Sequence, residues 1–433
     1  MTIASTRPPI APHVALISVH GDPAAAIGGE EAGGQNVYVR QVGESLAARG
    51  WQVDLFTRRA TQDAKAVVEH GPSCRTIRLP AGPPCFIPRQ EIFTHAGEFV
   101  AALQQYARRE GRRYALLHSN YWISGWVGLQ LKHADRMPLV HTYHSLGAVK
   151  YRSVSEPPHT TQQRLEIERD CLEQSNCAIA TSPQERDDLR SLVSERGRIE
   201  IVPCGTDVRR FGSISRLDAR AHLGIDPAAK VIFYVGRFDR RKGIETLVRA
   251  VRASESFGHI PLRAIIGGGF HPGQADGRER ERLGALACEL GLEDTLEFSG
   301  RISDADLPAY YAAADVCVVP SHYEPFGLVA IEAMACGTPV IASNVGGLKF
   351  TVAHEETGLL VPPQDATGFA IALDRVLGNP DWRDRLGAAG RQRVQAEFSW
   401  DGVADRLSAL YERVIAESSA SDLTVSPASA GRM

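Results

Sequence analysis

The chain has 433 residues, 48 Lys and Arg against 51 Asp and Glu, a formal net charge of −3 and 43% hydrophobic residues. That length predicts two domains, each able to bury a sizeable core, and the near balance of charge excludes a global field that would recruit nucleic acid or an anionic membrane. The eight cysteines are scattered, with no C-x-x-C and no zinc-module spacing, so the expectation is a reduced, cytoplasmic protein that needs no disulfides.

Residues 1–12 are expected to be flexible, and their prolines interrupt any signal-peptide core. No run approaches the apolar length of a membrane span. Short apolar runs then alternate with amphipathic stretches: VALISV, helical 35–49, VDLFT, TIRL, helical 91–109, ALLH, helical 121–133, LVHT, AIAT and IEIV. This rhythm predicts parallel β/α units. VPCGTDVRRFG, 202–212, reads as a linker. The rhythm restarts with VIFYV, helical 243–253, LRAII, TLEFS, VCVVP, a helix after Pro325, PVIA and GLLV. The expected fold class is α/β, with two doubly wound Rossmann-like domains, 13–205 and 206–398, facing across a cleft. A helix over 399–417, carrying Trp400 and Tyr411, is expected to return to the first domain, and the small, polar residues 418–433 are expected to be disordered. Ligands of such sheets bind beyond the carboxyl ends of the strands, so each motif should follow a strand.

GGEEAGGQNVYV, 28–39, follows the first strand. Gly33 and Gly34 would let backbone N–H groups approach an anion, with Gln35 and Asn36 opening the helix behind them. The pattern departs from G-x-G-x-x-G, which disfavours a nicotinamide enzyme. HSNYW and HTYHS end two further strands. His141 and His144 lack a third ligand at metal spacing, so no metal is expected, and a histidine hydrogen-bonded to a sugar fits better. In VGRFDRRKG, Arg237 and Lys242 supply a guanidinium fork and an ammonium suited to a diphosphate, while Arg240 and Arg241 read as a solvated pair. DAD, 304–306, reads as the solvated face of a helical run, and YARREGRRY, 106–114, as an exposed helix end.

EPFGLVAIEAMACGTPVIAS, 324–343, carries two glutamates eight positions apart. Pro325 and Gly327 make Glu324 a loop residue and start the helix near Gly327 or Leu328. The first N–H groups, from Gly327 through Val329, then open toward a phosphate, with Glu332 about one turn in.

EPFGLVAIEAMACGTPVIA, VGRFDRRKG and AGGQNVYV together resemble the retaining glycosyltransferases that include sucrose-phosphate synthase, sucrose synthase and the inositol-phosphate transferase of mycothiol synthesis. The resemblance covers residues 13–415. It implies a GT-B fold, an acceptor-binding first domain, a nucleotide-sugar-binding second domain and no obligatory metal or cofactor beyond the donor. It also implies roles for individual residues. Glu324 would touch the donor sugar's hydroxyls, Glu332 would grip the ribose diol, and Arg237 and Lys242 would hold the diphosphate, with Gly33, Gly34, Gly327, Leu328 and Val329 approaching the donor. His144 would lie near the transferred sugar. Gln35, Tyr121, Ser145 and Arg164 would contact the acceptor, and Arg89, in FIPRQE, stands where relatives offer a lysine to the acceptor phosphate. HGDP, GGQNVYV and VDLFTRR look most like the sucrose-forming branch, in a minimal form. The implied reaction is glucosyl transfer from UDP-glucose to fructose 6-phosphate. Free fructose or an inositol phosphate as acceptor remains open, as do, further off, a glycoside phosphorylase and a non-catalytic sugar-nucleotide sensor.

Overall fold

The apolar runs form two sheets, each in its own unit of a computed structural model that describes residues 12–25, 34–153 and 158–424. One unit takes the chain to Ala180, then Arg186–Val202 and the residues from Val403 onward. The other takes Thr181–Glu185 and Pro203–Gly402.

The first unit holds β1 (His13–Ile17), β2 (Gln52–Arg58), β3 (Val67–Gly71), β4 (Cys74–Leu79), β5 (Leu116–Asn120), β6 (Leu139–Thr142), β7 (Cys177–Ala180) and β8 (Ile199–Ile201). Their spatial order is β3-β4-β2-β1-β5-β6-β7-β8. All neighbours pair in parallel except β3 with β4. The central strands are buried along their whole length, as strands covered on both faces must be. Chain order reverses between β1 and β5, which opens a crevice beyond their carboxyl ends.

The second unit holds β9 (Lys230–Val235), β10 (Leu262–Gly267), β11 (Leu296–Gly300), β12 (Val316–Val319), β13 (Val340–Ser343) and β14 (Gly358–Val361), all parallel, in the order β11-β10-β9-β12-β13-β14. Its switch point lies between β9 and β12. The Ile244–Ala253 and Ala366–Leu377 helices pack their apolar faces into this unit's core with Val248, Leu373 and Phe369.

Three expectations need correction. The edge strand β3 runs antiparallel to β4 and departs from the expected parallel units, and VVEHG, alternating between exposed and half-buried positions, offers little apolar signal for it. The acidic DAD lies in the turn before the Leu307–Ala313 helix rather than on a helical face, with Ser303 Oγ bonded to Asp306 at 2.7 Å. Residues 418–424, expected in the tail, continue the Trp400–Thr424 helix. Among the described residues, no helix is long and apolar enough to cross a membrane.

Candidate functional site

In the second unit the motif residues gather at the switch point. After β9, Asp239 caps a short 3-10 turn at Arg240–Lys242 by accepting from the Arg241 N–H at 3.0 Å. Arg241 also ion-pairs with Asp239, so its guanidinium serves the turn. Gly243 closes the turn at φ +66°, where a Cβ would lie 1.9 Å from the Pro320 carbonyl oxygen. Only glycine allows that approach. It brings the turn against the loop after β12, where the His322 N–H donates to the Arg241 carbonyl at 2.7 Å. Lys242 Nζ thereby reaches Glu324 Oε2 at 2.6 Å, with Ser321 Oγ 3.4 Å from the same oxygen. Read separately in the sequence, the ammonium and the carboxylate form one ion pair. Arg237 stands exposed in the same loop.

Gly327 (φ 96°, ψ 57°) is the N-cap of the Leu328–Ala335 helix, in a conformation that suits glycine. The first N–H groups, of Leu328 and Val329, precede any i→i−4 partner. Glu332 lies one turn in, and its Oε2 accepts from Tyr311 Oη at 2.8 Å. Burial pushes the Glu332 carboxyl up to about 7, against the pull of the Tyr311 hydrogen bond and the charge of Arg210. The two glutamates are therefore different groups: Glu324 is held by a cation, and Glu332 titrates near neutrality.

In the first unit a polar cluster surrounds the β1/β5 switch point. Tyr121 follows β5 at φ 76°, ψ 157°, a region that normally requires glycine, and its N–H is held by the Thr142 carbonyl at 2.9 Å. His144 follows β6 at φ 59°. Its Nε2 meets Asn120 Oδ1 at 2.9 Å, while Asn120 Nδ2 donates to the Ile17 and His118 carbonyls. That orientation makes His144 Nε2 the protonated nitrogen and leaves Nδ1 as an acceptor. Burial lowers its pKa to about 3, so the ring is neutral and can exchange hydrogen bonds with a sugar hydroxyl. Tyr38 packs edge-on against it, with ring centroids 4.8 Å apart.

Arg164, on the Thr161–Gln174 helix, is 1% exposed. Its Nε donates to Glu168 (2.7 Å), Nη1 to Tyr121 Oη (3.2 Å) and Nη2 to the Ser145 carbonyl (2.6 Å). Glu168 is in turn satisfied by the Gly147 N–H at 2.9 Å. Because Tyr121 Oη accepts from Arg164, its own proton is left for another acceptor. Arg89 opens the Arg89–Ile92 helix behind Pro88, with its guanidinium 5.9 Å from the Tyr121 ring centre. Tyr121, Ser145, Arg164 and Arg89 thus converge. Gln35 joins them through Ser18 Oγ (3.1 Å) and the Asn120 carbonyl (3.4 Å), next to Gly34, which begins the Gly34–Ala47 helix. Gly33 lies outside the described residues.

His141 does not join the cluster. It is wholly buried, bonded to Ser119 Oγ at 2.8 Å. Among the described residues no group of His, Cys, Asp and Glu could hold a metal. Sequence reasoning gave no individual role to Tyr311, to Asn120 within HSNYW, or to His20 within HGDP, the last with its ring 4.6 Å from that of Tyr121. The signals that point to them are the place of Asn120 at the end of β5, of His20 in the turn after β1 and of Tyr311 on the Leu307–Ala313 helix.

Residues 32–210 match the profile described as Glycosyltransferase Family 4, and residues 215–393 that of Glycosyl transferases group 1. The chain belongs to this family: it is a glycosyltransferase of GT-B fold, in the group that contains sucrose-phosphate synthase. A sucrose-phosphate synthase of known structure from Thermosynechococcus elongatus is 52% identical with a TM-score of 0.87, the match covering 94% of this chain and all of that one. The D-inositol 3-phosphate glycosyltransferase of Corynebacterium jeikeium is 38% identical over 409 residues, 93% of this chain and 96% of the relative. HepE of Anabaena, solved with UDP and glucose, shares the fold at 19% identity and a TM-score of 0.73, over 93% of this chain and 99% of that one.

Proposed function

We propose that this enzyme transfers a glucosyl group from UDP-glucose to fructose 6-phosphate, giving sucrose 6-phosphate with retention at the anomeric carbon. The observation that carries the reading is the set of donors around Tyr121. The phenolic O–H, the Arg164 and Arg89 guanidiniums and the Ser145 hydroxyl gather on one side of the first unit, and the one carboxylate bonded to Arg164, Glu168, is fully engaged. Such a set suits a phosphate ester better than a neutral sugar. The 52% identity to a sucrose-phosphate synthase supports the same acceptor.

On the donor side, Glu332 accepts the ribose hydroxyls, and Arg237, Lys242 and the N–H groups of Leu328 and Val329 neutralise the diphosphate. The bond from the anomeric carbon to the diphosphate breaks, a bond to the acceptor oxygen forms as that hydroxyl's proton passes to the leaving diphosphate, and UDP departs with its charge balanced by the two cations. Glu324, already within reach of Lys242, orients the sugar hydroxyls. His144 receives one of them at Nδ1. Beyond donor and acceptor, the reading requires no cofactor.

A second reading, transfer to D-inositol 3-phosphate, is favoured by the curated relatives at 36–38% identity. It uses the same phosphate donors. A matrix of UDP-, ADP- and GDP-glucose against fructose 6-phosphate, fructose and D-inositol 3-phosphate, scored by product mass, separates the two. Preferred turnover of the inositol phosphate would replace the first reading with the second, and equal use of fructose and fructose 6-phosphate would remove both.

A further inference from the structure

His20 sits in the turn after β1, a turn fixed by Ser18 Oγ donating to the Gly21 carbonyl at 2.7 Å and by the Val19 N–H donating to Ser124 Oγ at 3.0 Å. Its ring is tilted 49° over Tyr121. Its Nδ1 is buried and, among the described residues, has no hydrogen-bond partner. Among the described residues, the groups that face it are cationic or neutral: Arg89 from the Arg89–Ile92 helix, Arg164 from the Thr161–Gln174 helix, His144 from the turn after β6 and the phenol of Tyr121. Asp22, on its own turn, is engaged by Arg78 at 2.7 Å, and Glu168, the carboxylate beside Arg164, by that guanidinium at 2.7 Å.

Burial above all, and then the two neighbouring guanidiniums, keep this imidazole from taking a positive charge. The free protein therefore keeps His20 neutral. A phosphate dianion seated on Tyr121 and Arg164 reverses the field at that ring. Removing water from the turn at the same time makes the new attraction stronger than it would be in bulk solvent.

We infer that His20 is a proton-linked specificity residue, which takes one proton from solvent when a phosphate ester occupies the Tyr121–Arg164–Arg89 cluster and thereby favours phosphorylated acceptors. This rests on the acceptor reading proposed above. The step is a simple protonation: the proton comes from buffer, the imidazole becomes imidazolium, and it returns to buffer when the ester leaves.

The test is calorimetric titration of the UDP-saturated full chain near neutral pH, in two buffers of different ionisation enthalpy, with fructose 6-phosphate and separately with inorganic phosphate. Binding a dianion to cations can only expel a proton from the ligand itself, so net uptake must come from the protein. Wild type should show net uptake, approaching one proton per site. His20→Gln should lose that uptake and bind fructose 6-phosphate about tenfold more weakly, with its UDP affinity and Tm retained. Equal proton counts in wild type and His20→Gln would overturn the inference. If His20→Gln does not fold, wild type alone decides, because zero or negative uptake refutes it. His20-dependent uptake with inorganic phosphate, but no binding of fructose 6-phosphate, would uphold the anion site and discard the acceptor. Failure of both probes to bind would discard both readings.

Discussion

The clearest functional consequence of burial is at Glu332, whose carboxyl is held up to about 7 against an ordinary value of 4.5. In the role proposed for it, Glu332 accepts from both ribose hydroxyls at once, which needs both carboxyl oxygens as acceptors and so favours the ionised form. About nine-tenths of Glu332 is ionised near pH 8 and about a tenth near pH 6, so affinity for UDP-glucose should fall roughly tenfold over that range, or about 1.4 kcal/mol. UDP-glucose is the right probe, because its diphosphate is esterified at both ends and does not titrate there. The stability effect has the opposite sign. Between 4.5 and about 7 the unfolded chain holds fewer protons at this site than the folded chain, so ionisation costs stability as pH rises. The full cost is about 3 kcal/mol. Glu332→Gln should therefore raise Tm in alkaline buffer while binding UDP-glucose weakly at every pH. Isothermal titration across the range, with parallel melting curves, measures both. A flat wild-type profile, or a Gln variant that keeps the slope, would refute the role given to Glu332.

Glu324→Gln should leave UDP affinity within about threefold, because the substitution removes a partner of Lys242 rather than a ligand of the nucleotide, yet lower kcat about a hundredfold or more; titration and steady-state kinetics decide, and a large loss of UDP affinity contradicts the assignment. Tyr121→Phe should cut kcat/KM for fructose 6-phosphate about tenfold, the size of one hydrogen bond to a charged group, with little change for fructose. Arg164→Ala is a poorer probe of the acceptor, since it strands Glu168 in the interior and should cost about 3–5 kcal/mol in chemical unfolding. Finally, burial lowers the pKa of both His118 and His141 to about 3 from an ordinary 6.5. The unfolded chain then binds protons that the folded chain refuses as pH falls below 6.5, and the two histidines together should remove up to about 2.7 kcal/mol of stability per pH unit. Urea unfolding between neutral pH and pH 5 checks this, and a constant midpoint would count against it.

The two series of β/α units could be read from the sequence because buried parallel strands must be short continuous apolar runs, as VALISV and VIFYV are. The site residues were visible where they sit beside a glycine or proline that marks a turn, as Lys242 does beside Gly243 and Glu324 beside Pro325. What stayed hidden depends on pairings remote in the chain. Nothing local links Lys242 to Glu324, 82 positions apart, or Tyr311 to Glu332. Arg164 is pointed out by the family resemblance alone, and nothing in its local sequence shows that Glu168, Ser145 and Tyr121 enclose it. The helix through residues 418–424 was missed because SASDLT is small and polar, a composition that reads as disorder when viewed alone.

The Trp400–Thr424 helix gives the molecule an order of assembly. Val403, Leu407, Leu410, Tyr411 and Val414 are fully buried, and Tyr411 Oη meets His118 Nδ1 at 2.5 Å while Trp51 Nε1 donates to Ser408 at 2.8 Å. Those residues emerge from the ribosome after every residue of Pro203–Gly402. During synthesis the second unit can finish its core while the first, though begun earlier, still waits for the side chain that closes over His118. A chain truncated before residue 403 and released would thus carry a second unit able to mature and a first unit with an open apolar seam, the kind of surface that chaperones hold.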